Sequence, residues 1–339
     1  MKILVTGGAG YIGSVMTRML LERGYKVVCL DRFFFGKESL NEVFSNPNFK
    51  WVKDDIRWFD PIILKDVDAV VDLASLSNDP SGELNPSKTY DINYLGRVRV
   101  AKLSKEYGVR RYVLASTCSV YGFQEEILDE NSPTNPLTTY AKSNVLAEKD
   151  VLLLADEKFT VTVLRQATVY GLSPRMRFDL AINGMVLGIY KNKKIPVMRD
   201  GKQWRPFVHV KDTSKAFITV LESPEDKVNK QIFNVGSNEQ NIQIFPLAEL
   251  LKEALSLPFE IEWYGSPDKR SYRVNFDKIR SFLGFVPSYT PKEGAREVYE
   301  ALEKGIVTDS LKTKTVEWYK HLLETHRLMR EVLLKDTIL

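Results

Sequence analysis

Residues 2–13 read KILVTGGAGYIG, and this stretch decides the fold. Its first five residues form a short apolar run that predicts a buried strand, and a helical pattern follows the glycines. Gly8, Gly10 and Gly13 have the spacing G-x-G-x-x-G, and Gly7, Gly10 and Gly13 form a second set with three-residue spacing. A strand, a tight glycine turn and a helix in this order predict a dinucleotide site, because a Cβ would hold the backbone away from the pyrophosphate.

Outward from this turn, short apolar runs alternate with helical patterns. The predicted strands are residues 2–6, 26–30, 49–52, 68–73, 111–115, 160–164, 195–198 and 231–235. The predicted helices are residues 12–23, 87–107, 140–155, 177–190, 211–221, 246–255, 277–283, 292–303 and 310–334. Such alternation predicts an α/β protein with a doubly wound parallel sheet. We expect a cofactor domain in residues 1–170, with return segments near 205–240, and a smaller α/β substrate domain with a helical tail in residues 171–339.

Composition excludes several classes of protein. The 339 residues carry 48 Lys and Arg against 44 Asp and Glu, a net charge of +4 that is too small for a nucleic-acid partner. No apolar run approaches the roughly 20 residues of a membrane span. Two cysteines make no disulfide framework, which predicts a cytoplasmic protein. His321 and His326 are five residues apart, a spacing that does not predict a metal site, and we expect no metal.

Polar residues at two predicted strand ends indicate which dinucleotide is bound. Asp31 ends the second strand, where a carboxylate accepts hydrogen bonds from the adenosine ribose hydroxyls and repels a 2′-phosphate. This favours NAD, although the adjacent Arg32 keeps NADP open. Asp55 and Ile56 follow the third strand, within reach of the adenine.

Three further segments determine which chemistry accompanies the cofactor. Residues 115–122 read ASTCSVYG after the fifth predicted strand, residues 138–148 read TTYAKSNVLAE, and residues 205–212 read RPFVHVKD. Together with the glycine turn, they make the chain resemble the extended short-chain dehydrogenase/reductase family, specifically its NAD-dependent nucleotide-sugar epimerases and dehydratases. The resemblance covers residues 1 to about 284. It implies a Rossmann-type fold with a seven-stranded sheet and a nucleotide-sugar substrate.

The resemblance also implies a role for each matching residue. It makes Tyr140 the catalytic acid and base, Thr117 a hydrogen-bond donor to the reacting oxygen, and Asn144 a ligand of the nicotinamide ribose. The implied cofactor-binding residues are Gly7, Gly10, Tyr11, Ile12, Gly13, Asp31, Arg32, Asp55, Ile56, Leu73, Ala74, Ser75, Asn93, Tyr140, Gln166 and Val169. The implied substrate-binding residues are Ser77, Thr117, Thr168, Arg177, Asn183, Arg205 and Arg270. Arg175 and Arg177 are placed beside the substrate diphosphate.

One position departs from the family's pattern. The family has a lysine four residues after the tyrosine, where it stabilises the phenolate, but here that residue is Asn144. Lys142 lies about 200° around the helix from the tyrosine and faces away. Three interpretations remain: a less acidic tyrosine, a lysine from elsewhere in the chain, or a site that binds but turns over slowly.

The residues after Thr117 indicate the reaction. Family dehydratases have an Asp-Glu pair there and decarboxylases have a Glu, whereas this chain has Cys118 and Ser119. The absence of a carboxylic acid favours epimerisation through a transient keto-sugar. A keto-sugar reductase and a catalytically weakened NAD-binding protein remain alternatives. The resemblance further implies a homodimer formed through helices 87–107 and 140–155.

Overall fold

Strands and helices alternate along the chain in the computed structural model, which describes residues 1–268, 270–334 and 337. The strands are β1 (Lys2–Thr6), β2 (Lys26–Asp31), β3 (Phe49–Lys53), β4 (Ala69–Asp72), β5 (Arg111–Thr117), β6 (Phe123–Leu128), β7 (Thr160–Gln166), β8 (Thr168–Tyr170), β9 (Lys194–Met198), β10 (Trp204–His209), β11 (Gln231–Val235), β12 (Asn241–Gln243), β13 (Glu260–Tyr264) and β14 (Ser271–Val274). The helices are α1 (Tyr11–Glu22), α2 (Asp79–Gly82), α3 (Pro86–Tyr90), α4 (Arg97–Glu106), α5 (Thr139–Leu152), α6 (Ala181–Asn192), α7 (Val210–Glu222), α8 (Glu225–Val228), α9 (Ile244–Leu255), α10 (Asp277–Leu283), α11 (Pro291–Glu303) and α12 (Thr315–Val332).

Seven parallel strands form the central sheet, in the order β11-β7-β5-β4-β1-β2-β3. The chain goes from β1 outward to β2 and β3, and then crosses to β4 on the other side of β1. The predicted doubly wound parallel sheet is therefore confirmed. In such sheets the ligand crevice lies at the carboxyl ends of the strands where the order reverses, here at β1 and β4.

Alternate residues of the central strands enter different helix layers, because side chains along a strand point to opposite faces. Ile3 is buried in one cluster with Met16 of α1 and Phe217 of α7. Leu4, the next residue, is buried with Val100 of α4 in the cluster on the opposite face. Burial on both faces explains why these strands read as continuous apolar runs in the sequence.

A second core lies in the carboxyl-terminal part of the chain. Helices α6, α9 and α11 bury Met185, Leu247 and Val298 together with residues of β9 and β10. Two small sheets, β12-β10-β8 and β13-β9, accompany this core, whereas the β14-β6 pair packs through Leu128 and Val274 into the cluster of Ile3. Helix α12 follows, and of its residues Thr315 is buried.

Next to the cleft, two of the predicted helices differ from the structure in their bounds. The helix predicted over residues 177–190 begins only at Ala181, because the preceding loop packs on α1, where Ser173 Oγ donates to the carbonyl of Tyr11 at 2.7 Å. The helix predicted over residues 87–107 is divided into α3, a π-helical turn over Asp91–Gly96, and α4. No helix among the described residues has the length and apolarity to cross a membrane.

Candidate active site

A cleft of about 830 Å³ runs along the carboxyl ends of the central strands. Residues 7–13 and Asp31 line one end of it, which we call the glycine-turn end. Thr117 and Tyr140 line the other, which we call the tyrosine end. Loop residues of the carboxyl-terminal part close the side opposite the sheet, so the cleft lies between the two cores.

The glycine-turn end is built from backbone. Gly7 has a φ of +68°, in the left-handed region that favours glycine, and its carbonyl accepts from the Gly10 N–H at 3.0 Å. A Cβ on Gly13 would collide with the same carbonyl. Helix α1 begins at Tyr11, and its N-cap Gly10 brings no side chain to the free N–H groups of the first turn. These donors and the positive end of the helix dipole fit a pyrophosphate.

Asp31 lies beside the glycine turn. Its Oδ2 accepts from the N–H of Ala9 at 3.0 Å and its Oδ1 from the N–H of Phe33 at 2.7 Å. Burial raises the pKa of the Asp31 carboxyl, and these two hydrogen bonds oppose the rise. The carboxylate is thus held in one orientation at the cleft wall.

Arg32 is paired with a neighbouring carboxylate. Its Nη1 lies 2.6 Å from Asp55 Oδ2, and Arg57 also donates to Asp55. Burial alone would raise the pKa of Asp55, but hydrogen bonds from Arg57 and Arg32 lower it. Because its charge is balanced by Asp55, Arg32 is a weak candidate for binding a 2′-phosphate, and the arrangement favours NAD.

The residues that line the glycine-turn end include several that were not assigned to the cofactor from the sequence, among them Phe33, Phe34, Phe35, Arg175 and Tyr319. Tyr319 of α12 packs on the rings of Phe34 and Phe35, with ring centroids 5.8 and 5.4 Å away. The amphipathic pattern of the tail predicts its helix but not its docking site, so the sequence carries no signal for Tyr319.

Arg175 was expected beside the substrate diphosphate, and it lies instead at the glycine-turn end. Its guanidinium stacks on Phe35 at 3.6 Å, and its Nη2 donates to Thr315 Oγ1 at 3.0 Å. The residue is 7% exposed, and its Nε and Nη1 have no partner among the described residues. Burial lowers the pKa of Arg175 to about 9, so it remains charged at neutral pH. A buried guanidinium with free donors requires an anion, which the pyrophosphate of a dinucleotide would supply.

The tyrosine end is built from side chains of separate elements. Thr138 caps α5 by accepting from the N–H of Ala141 at 3.2 Å, and this places Tyr140 in the first turn of the helix. Thr117, the last residue of β5, brings its hydroxyl to the phenol of Tyr140. Gly82 of α2 packs against Tyr140, and a Cβ there would lie 2.9 Å from that of Tyr140. The phenol and the Thr117 hydroxyl therefore face the cleft as a pair.

The charges around Tyr140 act in opposite directions. Burial raises the pKa of its phenol, and the carboxylate of Asp79 raises it further. Arg97, the Thr117 hydroxyl and Arg177 oppose this rise, and the pKa of the phenol remains above its ordinary value. Arg97 was not among the residues assigned to the site from the sequence.

Three asparagines assigned to the site do not line the cleft, and each is fully buried among protein groups. Asn93 holds the backbone of Leu76, accepting from its N–H at 2.8 Å and donating to its carbonyl at 3.2 Å. Asn183 accepts from the N–H of Gly171 and donates to the Tyr11 hydroxyl, both at 3.0 Å. Their expected ligand contacts are replaced by contacts that hold the cleft walls.

Asn144, expected at the nicotinamide ribose, is the third of these asparagines. Its Nδ2 donates to the carbonyl of Tyr140 at 2.9 Å, and its Oδ1 accepts from Arg97 Nη1 at 3.0 Å. Both ends of the amide are therefore engaged away from the cleft. We do not retain Asn144 as a ribose ligand.

The expected substrate residues Ser77, Thr168, Arg177, Arg205 and Arg270 all line the cleft. The guanidinium groups of the three arginines are each paired with acidic residues. Arg177 lies 2.6 Å from Asp179 and donates to Ser77 at 3.1 Å. Arg205 and Arg270 share Asp268, at 2.9 and 2.6 Å, and Arg270 also pairs with Asp79. An anionic substrate would therefore exchange partners with these carboxylates.

The remaining expected cofactor residues also line the cleft. They are Gly7, Gly10, Tyr11, Ile12, Gly13, Asp31, Arg32, Asp55, Ile56, Leu73, Ala74, Ser75, Tyr140, Gln166 and Val169. Cys118 is buried with a raised thiol pKa owing to desolvation, whereas Ser119 lines the cleft. Within the part of the chain that the structure describes, no three His, Cys, Asp or Glu side chains are grouped to hold a metal ion.

Comparison with known proteins identifies the family to which the chain belongs. Residues 3–236 match the model of the NAD dependent epimerase/dehydratase family, and the chain belongs to this family. The family resemblance drawn from the motifs is confirmed, and so is NAD as the cofactor.

Individual relatives extend over nearly the whole chain. UDP-glucuronic acid decarboxylase 1 of Arabidopsis thaliana is 31% identical over 306 residues, which cover 87% of this chain and 68% of that protein. UDP-glucuronate 4-epimerase of Thermodesulfobacterium geofontis is 28% identical over 339 residues, which cover 95% and 97%. The solved structure of MoeE5 in complex with UDP-glucuronic acid and NAD has a TM-score of 0.80 at 25% identity, covering 90% of this chain and all of that one.

Proposed function

We propose that the protein epimerises a UDP-sugar at C4, using tightly held NAD. The observation that carries the proposal is the placement of the glycine turn and the Tyr140–Thr117 pair in one cleft. The relatives support the substrate class, because the epimerase and the decarboxylase named above both act on UDP-glucuronate by name. In this proposal, residues 1–170 with the return segments near 205–240 hold the cofactor, and residues 171–339 contribute most of the substrate contacts.

The residues present fit the cofactor in three respects. The free N–H groups at the start of α1 face the pyrophosphate position, the unpaired donors of Arg175 lie at the same end, and Asp31 stands where ribose hydroxyls would bind. Bound NAD supplies a nicotinamide ring that takes a hydride from the sugar carbon and returns it to the other face. The chain's own residues hold the sugar and move the proton.

Tyr140 is the proposed base and acid. Its phenolate would take the proton of the C4 hydroxyl and return it after the sugar has turned in the cleft. Thr117 would donate a hydrogen bond to the same oxygen and hold it against the phenol. Arg205 and Arg270 would bind the diphosphate through bidentate charge-assisted bonds, releasing Asp268 and Asp79 from their present pairs. Ser77, Thr168 and Arg177 would contact the rest of the substrate.

The same cleft argues against the neighbouring reactions. Dehydration and decarboxylation in this family use a carboxylic acid directly after the residue at Thr117, and here Cys118 is buried and Ser119 has no acidic group. Epimerisation requires no additional acid. The proposal therefore prefers the 4-epimerase over the decarboxylase, although both kinds of relative match the chain.

We further propose that the protein is a cytoplasmic homodimer formed through α3, α4 and α5. Leu95 in the turn between α3 and α4, Leu146 in α5 and Leu153 directly after α5 are 55%, 38% and 76% exposed. Burying them against a second copy would remove apolar surface from water. Light scattering should give twice the mass of the chain, and a monomeric mass would exclude the dimer.

The experiment that tests the reaction is incubation of UDP-glucose and UDP-glucuronate with the protein and NAD in heavy water, followed by chromatography that separates C4 epimers and mass spectrometry of each peak. We expect the C4 epimer of one of them, with unchanged mass and no deuterium on carbon. Deuterium on carbon would indicate enolisation, and loss of water or carbon dioxide would overturn the assignment. No product from either sugar, together with consumption of NADH when a UDP-4-keto-sugar is supplied, would indicate a keto-sugar reductase. The Tyr140→Phe protein serves as the blank.

A further inference from the structure

The tyrosine end lacks a positive charge on its own helix. Asn144 occupies the position one turn after Tyr140 where the family pattern has a lysine, and Lys142 is exposed on another face of α5. A phenol with a pKa near 10 acts as a base at neutral pH only when a positive charge stabilises its anion. The cation must then come from another element.

Arg97 of α4 brings a guanidinium group to Asn144, the residue at the position of the family lysine. It is 1% exposed, one of the largest fully buried side chains, at the first residue of α4. Its Nη2 donates to the carbonyls of Asp72 and Ala115, at 3.0 and 2.5 Å, which lie at the carboxyl ends of β4 and β5. Its Nη1 donates to Asn144 Oδ1 at 3.0 Å. The guanidinium is therefore fixed between two strand ends and the helix that carries Tyr140.

The backbone before Arg97 is unusual. Residues 91–96 form a π-helical turn, a rare element that often occurs at functional sites. Within this turn Asn93 holds both backbone groups of Leu76, so the turn is tied to the cleft wall after β4. Arg97 directly follows this turn, and its side chain reaches the carboxyl ends of β4 and β5.

Among the residues that the structure describes, Arg97 has one carboxylate partner, and that partner is shared with two hydroxyl groups. Its nearest carboxylate is Asp72, 3.5 Å from Nε, which also accepts hydrogen bonds from Thr6 and Tyr112 on its other sides. The other charged groups around Tyr140 are paired with each other: Arg177 with Asp179, Arg270 with Asp79 and Asp268, and Glu148 with Arg165. Glu83 accepts from the N–H of Thr139 at 2.7 Å.

We propose that Arg97 takes the place of the family lysine: it brings a positive charge to Tyr140 from the neighbouring helix, with Asn144 as the link between them. The inference rests on the proposed role of Tyr140 as the base. Arg97 is a positioning residue, since it acts on the tyrosine and does not line the cleft. Of the three interpretations left open by the sequence, this proposal corresponds to the second, a lysine from elsewhere in the chain. The residue that supplies the charge is an arginine and not a lysine. The direction in which Arg97 shifts the phenol agrees with this role.

The test is the titration of Tyr140 itself, measured without cofactor or substrate. The chain has 15 tyrosines, so the near-ultraviolet phenolate signal of each protein is taken as a difference from its Tyr140→Phe counterpart. Replacing Arg97 by Met removes the charge and should raise the midpoint by about one pH unit. The rising limb of kcat against pH should move by the same amount, with KM for the UDP-sugar unchanged within about twofold.

Two further variants separate charge from structure. Arg97→Lys retains the charge and should keep the midpoint within about half a unit. The double variant Arg97→Met with Asn144→Lys places the cation where the family has it, and should restore the midpoint and recover turnover to within about threefold of the starting protein. If Arg97→Met lowers the melting temperature strongly, Arg97→Gln, which retains an amide donor for the two carbonyls, replaces it.

An unmoved midpoint in a folded Arg97→Met or Arg97→Gln protein would overturn the inference, as would failure of the double variant to restore it. The two proposals fail separately. A midpoint that shifts in a protein that epimerises no UDP-sugar would leave the Arg97 assignment standing and remove the proposed reaction.

Discussion

The two ends of the cleft are built in opposite ways. At the glycine-turn end, residues 7–13 supply backbone N–H groups brought close by missing side chains, and the side chains of Asp31 and Arg175 add to them. At the tyrosine end, Arg97, Thr117, Tyr140 and Asn144 come from α4, β5 and α5, and their side chains make the arrangement. The first end depends on steric fit, and the second depends on charge and hydrogen bonds.

This difference predicts that the two ends tolerate substitutions differently. A backbone-made site leaves no room for an alternative, because a single Cβ fills the space that the ligand or the turn requires. A side-chain-made site can obtain the same charge from another element, provided that the charge arrives at the same place. The exchange of a lysine on α5 for Arg97 on α4 is such a case.

The largest effect is expected from removing the phenol hydroxyl of Tyr140. Tyr140→Phe should lower kcat by about 1,000-fold, because it removes the proposed base, while the affinity for UDP-sugar stays within about threefold. Turnover and binding are measured separately, by product formation and by calorimetry. Tyr107→Phe, on an exposed ring outside the cleft, is the control. Retained turnover in Tyr140→Phe would mean that the chemistry lies elsewhere in the cleft.

A smaller effect is expected at the glycine-turn end, where two physical arguments predict opposite signs for the change in stability. Helix propensity alone predicts that Gly13→Ala stabilises α1 by about 1 kcal/mol. The collision with the Gly7 carbonyl predicts the opposite sign, a loss of about 1–3 kcal/mol together with loss of NAD from the purified protein. Thermal unfolding and the NAD content of the protein distinguish these outcomes.

Gly24→Ala is the matched control for the glycine turn. The added carbon has nothing within 4 Å there, although φ is +79°. This variant should lose some stability from backbone strain and keep its NAD. Equal NAD content in Gly13→Ala and Gly24→Ala would show that the glycine turn does not depend on close approach.

The smallest effect is expected at Tyr319, which packs on Phe34 and Phe35 at the glycine-turn end. Tyr319→Ala should speed the release of NAD by about two- to tenfold, since aromatic contacts of this kind contribute about 0.5–1.5 kcal/mol. The release is followed by dilution of the loaded protein into excess labelled NAD. Leu323→Ala, one turn later on the exposed part of α12, should leave the rate unchanged. Equal rates of NAD release in both variants would show that the Tyr319 contact of α12 does not help to retain the cofactor.

Sequence-based prediction was accurate where the signal was local. The central strands were found because burial on both faces makes them continuous apolar runs, as in KILVT. β6 was missed because FQEEIL is largely exposed and has no such run. The start of α6 was misplaced because residues 171–180 are held by contacts with α1, including the bond from Ser173 to Tyr11, that no local pattern indicates.

The sequence by itself determined the glycine turn, the doubly wound sheet, the family, and the absence of a lysine one turn after Tyr140. The tertiary structure alone decided what takes that lysine's place. Residues 97 and 144 are 47 positions apart, and their side chains meet only because α4 and α5 pack side by side on the same face of the sheet. Periodicity and spacing describe neighbours along one element, whereas the contact between Arg97 and Asn144 depends on the packing of two.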